Sequence, residues 1–175
     1  MNILITGATR GIGKAIADVN IKMGNQIFAS GRNEELLKCY DNYCICDLAT
    51  IEGMQKLGEY IEQNKIDVVI NNAGEYIYSA SKAGLIGLTK AVALEVAANN
   101  ITINTINPGW VDTDLGNESI DSSEFSKNEI VECIPQRRFV EPSEIVGMIN
   151  YLISEQAKGV TGQSINLCAG MTVGY

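Results

Sequence analysis

The sequence predicts an α/β protein built on a single doubly wound parallel sheet. Segments typical of strands and of helices alternate along the 175 residues, and such alternation is typical of parallel sheets with helical crossovers. A glycine-rich turn joins the first apolar segment to a helical one. Residues 68–70 are apolar without interruption, as in a strand buried on both faces. No second domain or internal repeat is visible, so we predict one domain over residues 1–175.

In the first half of the chain, strands and helices are predicted from two different patterns. Short apolar runs bounded by polar or glycine residues predict the strands, and apolar residues at helical spacing predict the helices. The strands cover residues 2–6, 26–30, 43–46 and 67–71, and the helices cover residues 11–23 and 50–64. Cys44 and Cys46 lie two residues apart in the third strand, so both thiols are predicted to be buried on one face.

The second half begins with the longest predicted helix, residues 81–98, whose side chains are small and apolar almost all round. Such a helix is usually buried, often against another subunit. A strand over 101–106 follows, and the polar residues 112–136 predict an irregular, mobile flap. A helix over 142–154 and a last strand over 163–167 complete the predicted fold.

The composition narrows the classes of function. The chain has 13 basic and 21 acidic residues and a net charge of −8, which opposes binding to nucleic-acid phosphates. It has no histidine, so Ser-His-Asp and Cys-His catalysis are excluded and no metal site is predicted. Met1 leads directly into the first strand, without a signal peptide or a membrane-spanning run. We therefore expect a cytoplasmic protein that binds neither nucleic acid nor membrane.

The turn after the first predicted strand is the strongest local signal. It reads Thr6-Gly7-Ala8-Thr9-Arg10-Gly11-Ile12-Gly13. Its three glycines allow a sharp bend and the close approach of a ligand. The helix that follows points its free N–H groups and the positive end of its dipole at the bend, which suits a pyrophosphate. Because the turn lies between a strand and a helix, it predicts a dinucleotide site.

This turn resembles the cofactor turn of the short-chain dehydrogenase/reductase family, in particular the bacterial 3-oxoacyl-[acyl-carrier-protein] reductase group. Further matches follow in the family's order: Asn71-Asn72-Ala73-Gly74, then Tyr78 with Lys82, then Pro108-Gly109 with Thr113. The resemblance implies a Rossmann-like fold and a nicotinamide cofactor. The residues predicted to bind the cofactor are Gly7, Thr9, Arg10, Gly11, Ile12, Gly13, Arg32, Asp47, Leu48, Asn72, Ala73, Gly74, Lys82, Pro108, Gly109, Val111 and Thr113.

The end of the second predicted strand indicates which nicotinamide cofactor binds. NAD enzymes usually hold the ribose 2′-hydroxyl with an acidic residue at this place, whereas this chain has Ser30-Gly31-Arg32. No carboxylate would repel a 2′-phosphate there, and both Arg32 and Arg10 could pair with one. The sequence therefore predicts NADP(H). The alternative for Arg32 is a solvated residue at the start of a helix.

Tyr78 and Lys82 are the predicted catalytic pair. Residues four apart on a helix share a face, and a nearby ammonium lowers the pKa of a phenol, which is ordinarily about 10. In the family that these residues resemble, the tyrosine protonates the nascent alkoxide and the lysine also binds the nicotinamide ribose. The resemblance thus implies NADPH-dependent reduction of a ketone, with a 3-oxoacyl thioester as the first expected substrate. A surface pair without a catalytic role is the alternative.

Only three residues separate Gly74 from Tyr78. The family has a helix and a further strand between these motifs, which supply a catalytic asparagine and a catalytic serine, and a βαβ unit needs roughly 30 residues. Removing an interior strand leaves unpaired backbone groups on both sides of the gap. Three explanations stay open: residues of the natural protein are missing from this sequence, the gene carries a deletion, or the sheet is rebuilt through exchange between subunits.

These explanations lead to two functions. If residues are missing and the break falls within 76–80, Tyr78 belongs to the loop after the fourth strand and another tyrosine acts with Lys82. If the deletion is real, the chain is a catalytically impaired nucleotide-binding protein, either a sensor or a partner of another protein. Both the resemblance and the small-residue helix predict a homodimer or homotetramer.

Overall fold

The computed structural model describes residues 1–72, 78–121 and 125–172, with the backbone alone described at 78–83, 115 and 121. Its described strands pair in parallel and alternate with helices, which confirms the predicted α/β class. The chain forms two compact units, Met1–Gly74 and Glu75–Tyr175. The single domain over residues 1–175 stays a prediction.

The first unit is a parallel sheet with helices in its crossovers. In chain order its described elements are β1 (Asn2–Thr6), α1 (Gly11–Lys22), β2 (Gln26–Gly31), α2 (Glu34–Leu37), β3 (Asn42–Ile45), α3 (Ile51–Gln63) and β4 (Val68–Ile70). The strand order is β3-β2-β1-β4. Because all four strands run the same way, their carboxyl ends share one edge of the sheet, where ligands bind in folds of this type.

One face of this sheet packs against α3 and contains the two predicted buried thiols. The buried cluster consists of Leu4, Phe28, Cys44, Cys46 and Leu57. Cys44 is 3% exposed and Cys46 is 6% exposed, which confirms the prediction. Burial, with a further contribution from the neighbouring Cys46 thiol, raises the pKa of Cys44 to about 11. Cys44 is therefore a protonated, unreactive core residue at neutral pH.

β4 is an edge strand rather than the doubly buried strand that its sequence predicts. It pairs with β1 and with no other strand among the described residues, and Val69 at its centre is 50% exposed. On α3, Ile51 and Met54 are also more than half exposed, although they share the apolar spacing of the buried Leu57. The residues of β4 are apolar, as the sequence shows, but no other strand among the described residues pairs along its outer edge.

The second unit contains a separate, smaller sheet. Its described elements are α4 (Tyr78–Val96), β5 (Thr105–Pro108), α5 (Asp114–Asp121), α6 (Lys127–Cys133), α7 (Pro142–Leu152) and β6 (Ser164–Leu167), with 3-10 turns at Ala97–Asn99 and Glu155–Ala157. β5 and β6 pair in parallel and form a two-stranded sheet. The pairings among the described residues thus form two sheets, one in each unit.

Two helices occupy the segment that the sequence predicts as an irregular flap. The Thr113 hydroxyl accepts a hydrogen bond from the Gly116 N–H at 3.1 Å at the start of α5, and Ser126 and Glu129 form a reciprocal capping box on α6. Ile120 and Ile130 anchor these helices and are each 8% exposed. The prediction of irregular structure was wrong, because capping stabilises short polar helices that carry few apolar residues.

One further prediction for the second unit was wrong. The strand expected over residues 101–106 begins only at Thr105, since the backbone of Ile103 bonds to the loop at Thr161 and Gly162 instead. Leu94 on the small-residue helix α4 is 84% exposed within the chain, so burial of this helix against another subunit stays a prediction.

Candidate nucleotide site

The backbone of the glycine turn requires glycine at three positions. Gly7 and Gly11 have φ angles of +67° and +54°, which lie in the left-handed region that side chains with a Cβ rarely adopt. Gly13, in the first turn of α1, packs against the turn so closely that an added Cβ would lie 2.2 Å from the Gly7 carbonyl oxygen. The turn and the helix are therefore in backbone contact.

A threonine and two asparagines brace this turn from the end of β4. The Thr6 hydroxyl accepts from the Asn72 N–H at 2.9 Å and donates to the Asn71 side-chain oxygen at 3.1 Å. The Asn72 amide nitrogen donates to the carbonyls of Thr6 and Gly7 at 3.2 and 3.3 Å. The structure thus brings Asn72, a predicted site residue, against the glycine turn 65 residues earlier.

Tyr40, which was not predicted as a site residue, also supports the turn. Its hydroxyl donates to the Ala8 carbonyl at 2.7 Å, and the side chain is 7% exposed. Burial raises the pKa of Tyr40 to about 12, with smaller contributions from Cys39 and Asp18, so the hydroxyl stays protonated as a donor. The contact spans 32 residues, and a lone tyrosine after a short helix carries no pattern that predicts it.

The N-terminus of α1 is open toward this turn. Its N-cap residue is Arg10, whose side chain makes no capping hydrogen bond, and the first turn has no acidic residue. The first N–H groups of a helix have no partners within the helix, and those of Gly11, Ile12 and Gly13 bond to no turn or loop carbonyl among the described residues. They can therefore bind a ligand. The pyrophosphate of a dinucleotide fits this place. The turn contains glycines with positive φ angles, its contact with Gly13 leaves no room for a Cβ, and the N–H groups at the start of α1 point toward it.

The carboxyl ends of β2 and β3 provide further polar groups. Arg32 is exposed and has no ion-pair or hydrogen-bond partner among the residues that the structure describes. The Ser30 hydroxyl is buried without a hydrogen-bond partner within the same described part. One Asp47 carboxylate oxygen accepts from the Ala49 N–H at 3.0 Å, and Leu48 packs on the buried cluster. Polar groups that can take a ligand are thus present at this edge.

In the second unit, the predicted segment after β5 is fixed by its contact with the end of β6. The Gly109 N–H donates to the Leu167 carbonyl at 3.1 Å, and a Cβ on Gly109 would lie 2.9 Å from the Cα of Cys168. Val111 is 8% exposed and bridges to Val140. The structure therefore holds Pro108, Gly109, Val111 and Thr113 in one ordered segment.

The predicted catalytic pair shares one helix. Because α4 begins at Tyr78, positions 78 and 82 are one helical turn apart, as the spacing requires. The side chains of Tyr78 and Lys82 lie outside the described residues, as do Ala73 and Gly74. Within the described part of the chain, no cluster of acidic and cysteine side chains could hold a metal ion.

Two further side-chain contacts lie between β5 and α7. Arg138 makes a bidentate ion pair with Glu144 at 2.6 and 2.9 Å, and the pKa of Glu144 is lowered to about 2, first by that contact and then by the Glu141 N–H. Trp110 stacks on Phe139 with ring centroids 6.0 Å apart. Both contacts brace the segment between β5 and α7.

Helices long and apolar enough to cross a bilayer do not occur among the residues described.

Family models match the two halves of the chain separately. Residues 1–76 match the model described as short chain dehydrogenase, and residues 74–172 match the model described as enoyl-(acyl carrier protein) reductase. The chain belongs to the short-chain dehydrogenase/reductase family. The predicted resemblance is therefore confirmed, and the chain is placed among the short-chain oxidoreductases.

Relatives align over nearly the whole chain. The 3-oxoacyl-[acyl-carrier-protein] reductase of Rickettsia felis is 30% identical over 96% of this chain and 95% of its own length, and that of Buchnera aphidicola is 28% identical over 95% of each. The Rickettsia felis alignment has 232 positions, which exceeds the 175 residues of this chain by 57. At least 57 aligned positions therefore have no counterpart here, and the two family matches meet at residues 74–76.

Solved structures show the same fold. A variant of actinorhodin polyketide ketoreductase, solved with NADPH, has a TM-score of 0.84 and 27% identity over 97% of this chain and 96% of its own. A short chain dehydrogenase family protein from Francisella tularensis has a TM-score of 0.87 and 20% identity over 99% of both chains. The second likeness shows the fold alone. Together they confirm the expected Rossmann-like fold.

Proposed function

We propose that this chain is an NADPH-dependent carbonyl reductase whose substrates are ketones of the 3-oxoacyl thioester class. The observation that carries the proposal is the glycine turn, whose bare backbone faces the open N-terminus of α1. The choice of NADPH is supported by Arg32 after β2, where a carboxylate would repel a 2′-phosphate. The substrate class is supported by the relatives named 3-oxoacyl-[acyl-carrier-protein] reductase.

The proposed chemistry divides between cofactor and protein. When bound, the nicotinamide supplies hydride to the ketone carbon. Tyr78 donates its phenolic proton to the carbonyl oxygen, and the Lys82 ammonium stabilises the resulting phenolate and binds the nicotinamide ribose. Proton transfer of this kind typically contributes about 10²–10⁴ in rate.

The family resemblance assigns further cofactor contacts to residues of each unit. In the first unit, Asp47 and Leu48 receive the adenine, Arg10 and Arg32 the 2′-phosphate, and the turn residues Gly7, Thr9, Gly11, Ile12 and Gly13 the pyrophosphate. Asn72, Ala73 and Gly74 complete the proposed cofactor contacts of the first unit. For the second unit by itself, the family resemblance assigns Pro108, Gly109, Val111 and Thr113 to the nicotinamide.

The proposed setting is a cytoplasmic enzyme with one NADP-binding domain over residues 1–175. It assembles as a homodimer or homotetramer through α4. Leu88 and Leu94 on this helix are 57% and 84% exposed, and a Cβ at Gly84 or Gly87 would meet open space. Close approach of a second helix is compatible with such a surface, and light scattering of the purified protein measures the assembly.

Two measurements test this function. Calorimetry should show tighter binding of NADP than of NAD, and a panel of 3-oxoacyl thioesters should drive oxidation of NADPH. Tyr78→Phe should lower kcat about 10²–10⁴-fold with NADPH affinity retained, whereas Tyr151→Phe, on an exposed tyrosine of α7, should leave kcat unchanged. Wild-type turnover in the Tyr78→Phe protein would remove that residue from the mechanism.

A second candidate function is nucleotide binding without turnover, in a sensor or a partner of another protein. The 57 alignment positions that this chain lacks favour it, because the resemblance places the catalytic serine and asparagine in such a segment. Binding of NADP without oxidation of NADPH by any ketone would select this function. A natural protein with an intact mass near 18.9 kDa would show that the segment is truly absent.

A further inference from the structure

Lys127 lies at a position that does not suit its own helix. It is the first residue of α6 and directly follows the N-cap Ser126. The N-terminal end of a helix carries a partial positive charge, so a lysine there destabilises the helix, whereas an acidic residue such as Glu129 in the same turn stabilises it. A residue that breaks a local rule is expected to have a compensating role elsewhere, and the tertiary contacts of Lys127 indicate that role.

The ammonium of Lys127 joins three segments of the second unit. Its Nζ lies 3.3 Å from an Asp112 carboxylate oxygen in the loop between β5 and α5. It lies 3.5 Å from the side-chain oxygen of Asn117 on α5, and 5.0 Å from the centre of the Phe139 ring, which precedes α7. One side chain therefore ties the start of α6 to that loop, to α5 and to an aromatic ring.

All three partners of Lys127 are connected to residues 110–113, which we call the Thr113 loop. Asp112 belongs to the loop and directly precedes Thr113. The Asn117 N–H donates to the Thr113 carbonyl at 2.9 Å. The Phe139 ring stacks on Trp110, with 6.0 Å between the ring centroids. The ammonium thus acts on both ends of a loop that contains a residue assigned to the nicotinamide.

The backbone of this loop has supports of its own. The Trp110 carbonyl accepts from the Val140 N–H at 2.8 Å, and the Asp112 N–H donates to the Val140 carbonyl at 3.1 Å. The side chains of Lys127 and Asp112 are about half exposed, at 49% and 44%. Removing the ammonium should therefore leave the fold intact and change mainly how firmly the Thr113 end of the loop is held.

We propose that Lys127 is a positioning residue for the nicotinamide, which it serves by holding the Thr113 loop in the conformation that receives the ring. This inference rests on the proposed function, in which Thr113 contacts the nicotinamide. The Thr113 hydroxyl accepts from the Gly116 N–H at 3.1 Å, and a hydroxyl that accepts can still donate its own proton to a ligand. Lys127 itself touches neither cofactor nor substrate in this proposal.

The experiment compares NADPH with 2′-phospho-ADP-ribose, which is the same ligand without its nicotinamide. Lys127→Met removes the charge and keeps an unbranched apolar side chain. It should weaken NADPH binding about three- to tenfold in calorimetry, because half-exposed ion pairs and cation–π contacts are individually modest. Affinity for 2′-phospho-ADP-ribose should not change. A merely structural role would weaken the binding of both ligands or of neither.

The partner residue gives a second, independent variant. Asp112→Asn should show the same selective loss of NADPH affinity, and it replaces Lys127→Met as the test if circular dichroism shows that the latter does not fold. The double variant should bind NADPH no more weakly than Lys127→Met alone, because both changes remove the same ion pair. High salt should narrow the difference between the wild type and either single variant, since it screens exposed charges.

Two controls and two contrary results complete the test. Lys127→Arg keeps the charge and should bind NADPH as the wild type does. Lys158→Met removes an exposed lysine that pairs with Glu155 in the same unit, and it should change neither affinity. Equal losses for both ligands, or no loss for NADPH, would overturn the role of Lys127 and leave the proposed function standing. A wild type that binds neither ligand would refute the proposed function, and the role of Lys127 with it.

Discussion

Tyr40→Phe tests whether a single buried hydroxyl maintains the shape of the glycine turn. This hydroxyl donates to the Ala8 carbonyl at 2.7 Å, and the side chain is 7% exposed. The substitution removes one oxygen atom and preserves the ring. The Ala8 carbonyl therefore loses its donor at a place that water reaches poorly, while the packing around the ring stays.

The size of the effect follows from that geometry. A buried acceptor left without a donor costs about 1–3 kcal/mol, and 1 kcal/mol lowers the Tm of a protein of this size by about 2–4 °C. We expect the Tm to fall by about 2–12 °C. NADP affinity should fall by up to about tenfold, since 1.4 kcal/mol spent on restoring the turn corresponds to that factor.

The dependence on pH gives a second, independent readout. The pKa of Tyr40 is about 12 in the folded protein against an ordinary value of 10.0. Because the folded-state pKa is raised, the stability that the protonated hydroxyl contributes is complete below pH 10 and is lost as the pH rises through about 12. The difference in Tm between the wild type and Tyr40→Phe should therefore be constant below pH 10 and narrow above it.

Tyr60→Phe is the matched control. The Tyr60 ring packs edge-on against Phe28 at 6.1 Å between centroids, and its hydroxyl has no hydrogen bond among the described residues. Differential scanning fluorimetry and calorimetry with NADP should give wild-type values for this variant. If Tyr40→Phe melted with the wild type and bound NADP equally well, the hydroxyl would have no role in the turn.

Three further substitutions give separate checks. Gly13→Ala places a methyl group 2.2 Å from a backbone carbonyl oxygen. It should lower the free energy of unfolding by about 1–3 kcal/mol and abolish NADP binding. In the control Gly58→Ala, the methyl group meets open space on α3, so stability and NADP binding should stay as in the wild type. Arg32→Gln should weaken NADP binding about 10–100-fold and leave NAD binding unchanged, as measured by calorimetry. Contacts with Arg138 and with the Glu141 N–H lower the pKa of Glu144 to about 2. These contacts therefore stabilise the fold above pH 4.5, and this stability is lost as the pH falls through 2. Glu144→Gln should reduce the loss of Tm on acidification.

Much of the fold could be predicted because the sequence patterns are local. The glycine turn, α1 and the parallel strands of the first unit follow from apolar spacing and stop signals, and they are found within one or two residues of the predicted bounds. The helices α5 and α6 were missed, because their stability comes from capping by Thr113 and Ser126 and from the anchors Ile120 and Ile130. A polar segment with so few apolar residues has too weak a helical periodicity of hydrophobicity to be recognised as a helix.

Only part of the candidate site could be predicted, again because sequence patterns are local. Residues in a contiguous motif, such as Gly7, Gly11 and Gly13, could be read from the order of residue types. The brace between Thr6 and the asparagines was only partly visible, and the Tyr40 contact was invisible, because it joins residues that are distant in sequence and have no periodic relationship.

The sequence by itself determined the family, the α/β class and the position of the glycine turn, because each depends on short-range order along the chain. The assignment of Tyr78 and Lys82 on α4 as a catalytic pair stays a prediction. Tertiary structure alone decided that β4 is an edge strand with Val69 half exposed, and that Tyr40 and Asn72 shape the turn. Burial and hydrogen bonding at these residues are properties of neighbours brought together by folding. An apolar strand has the same sequence whether or not a second strand covers its outer edge.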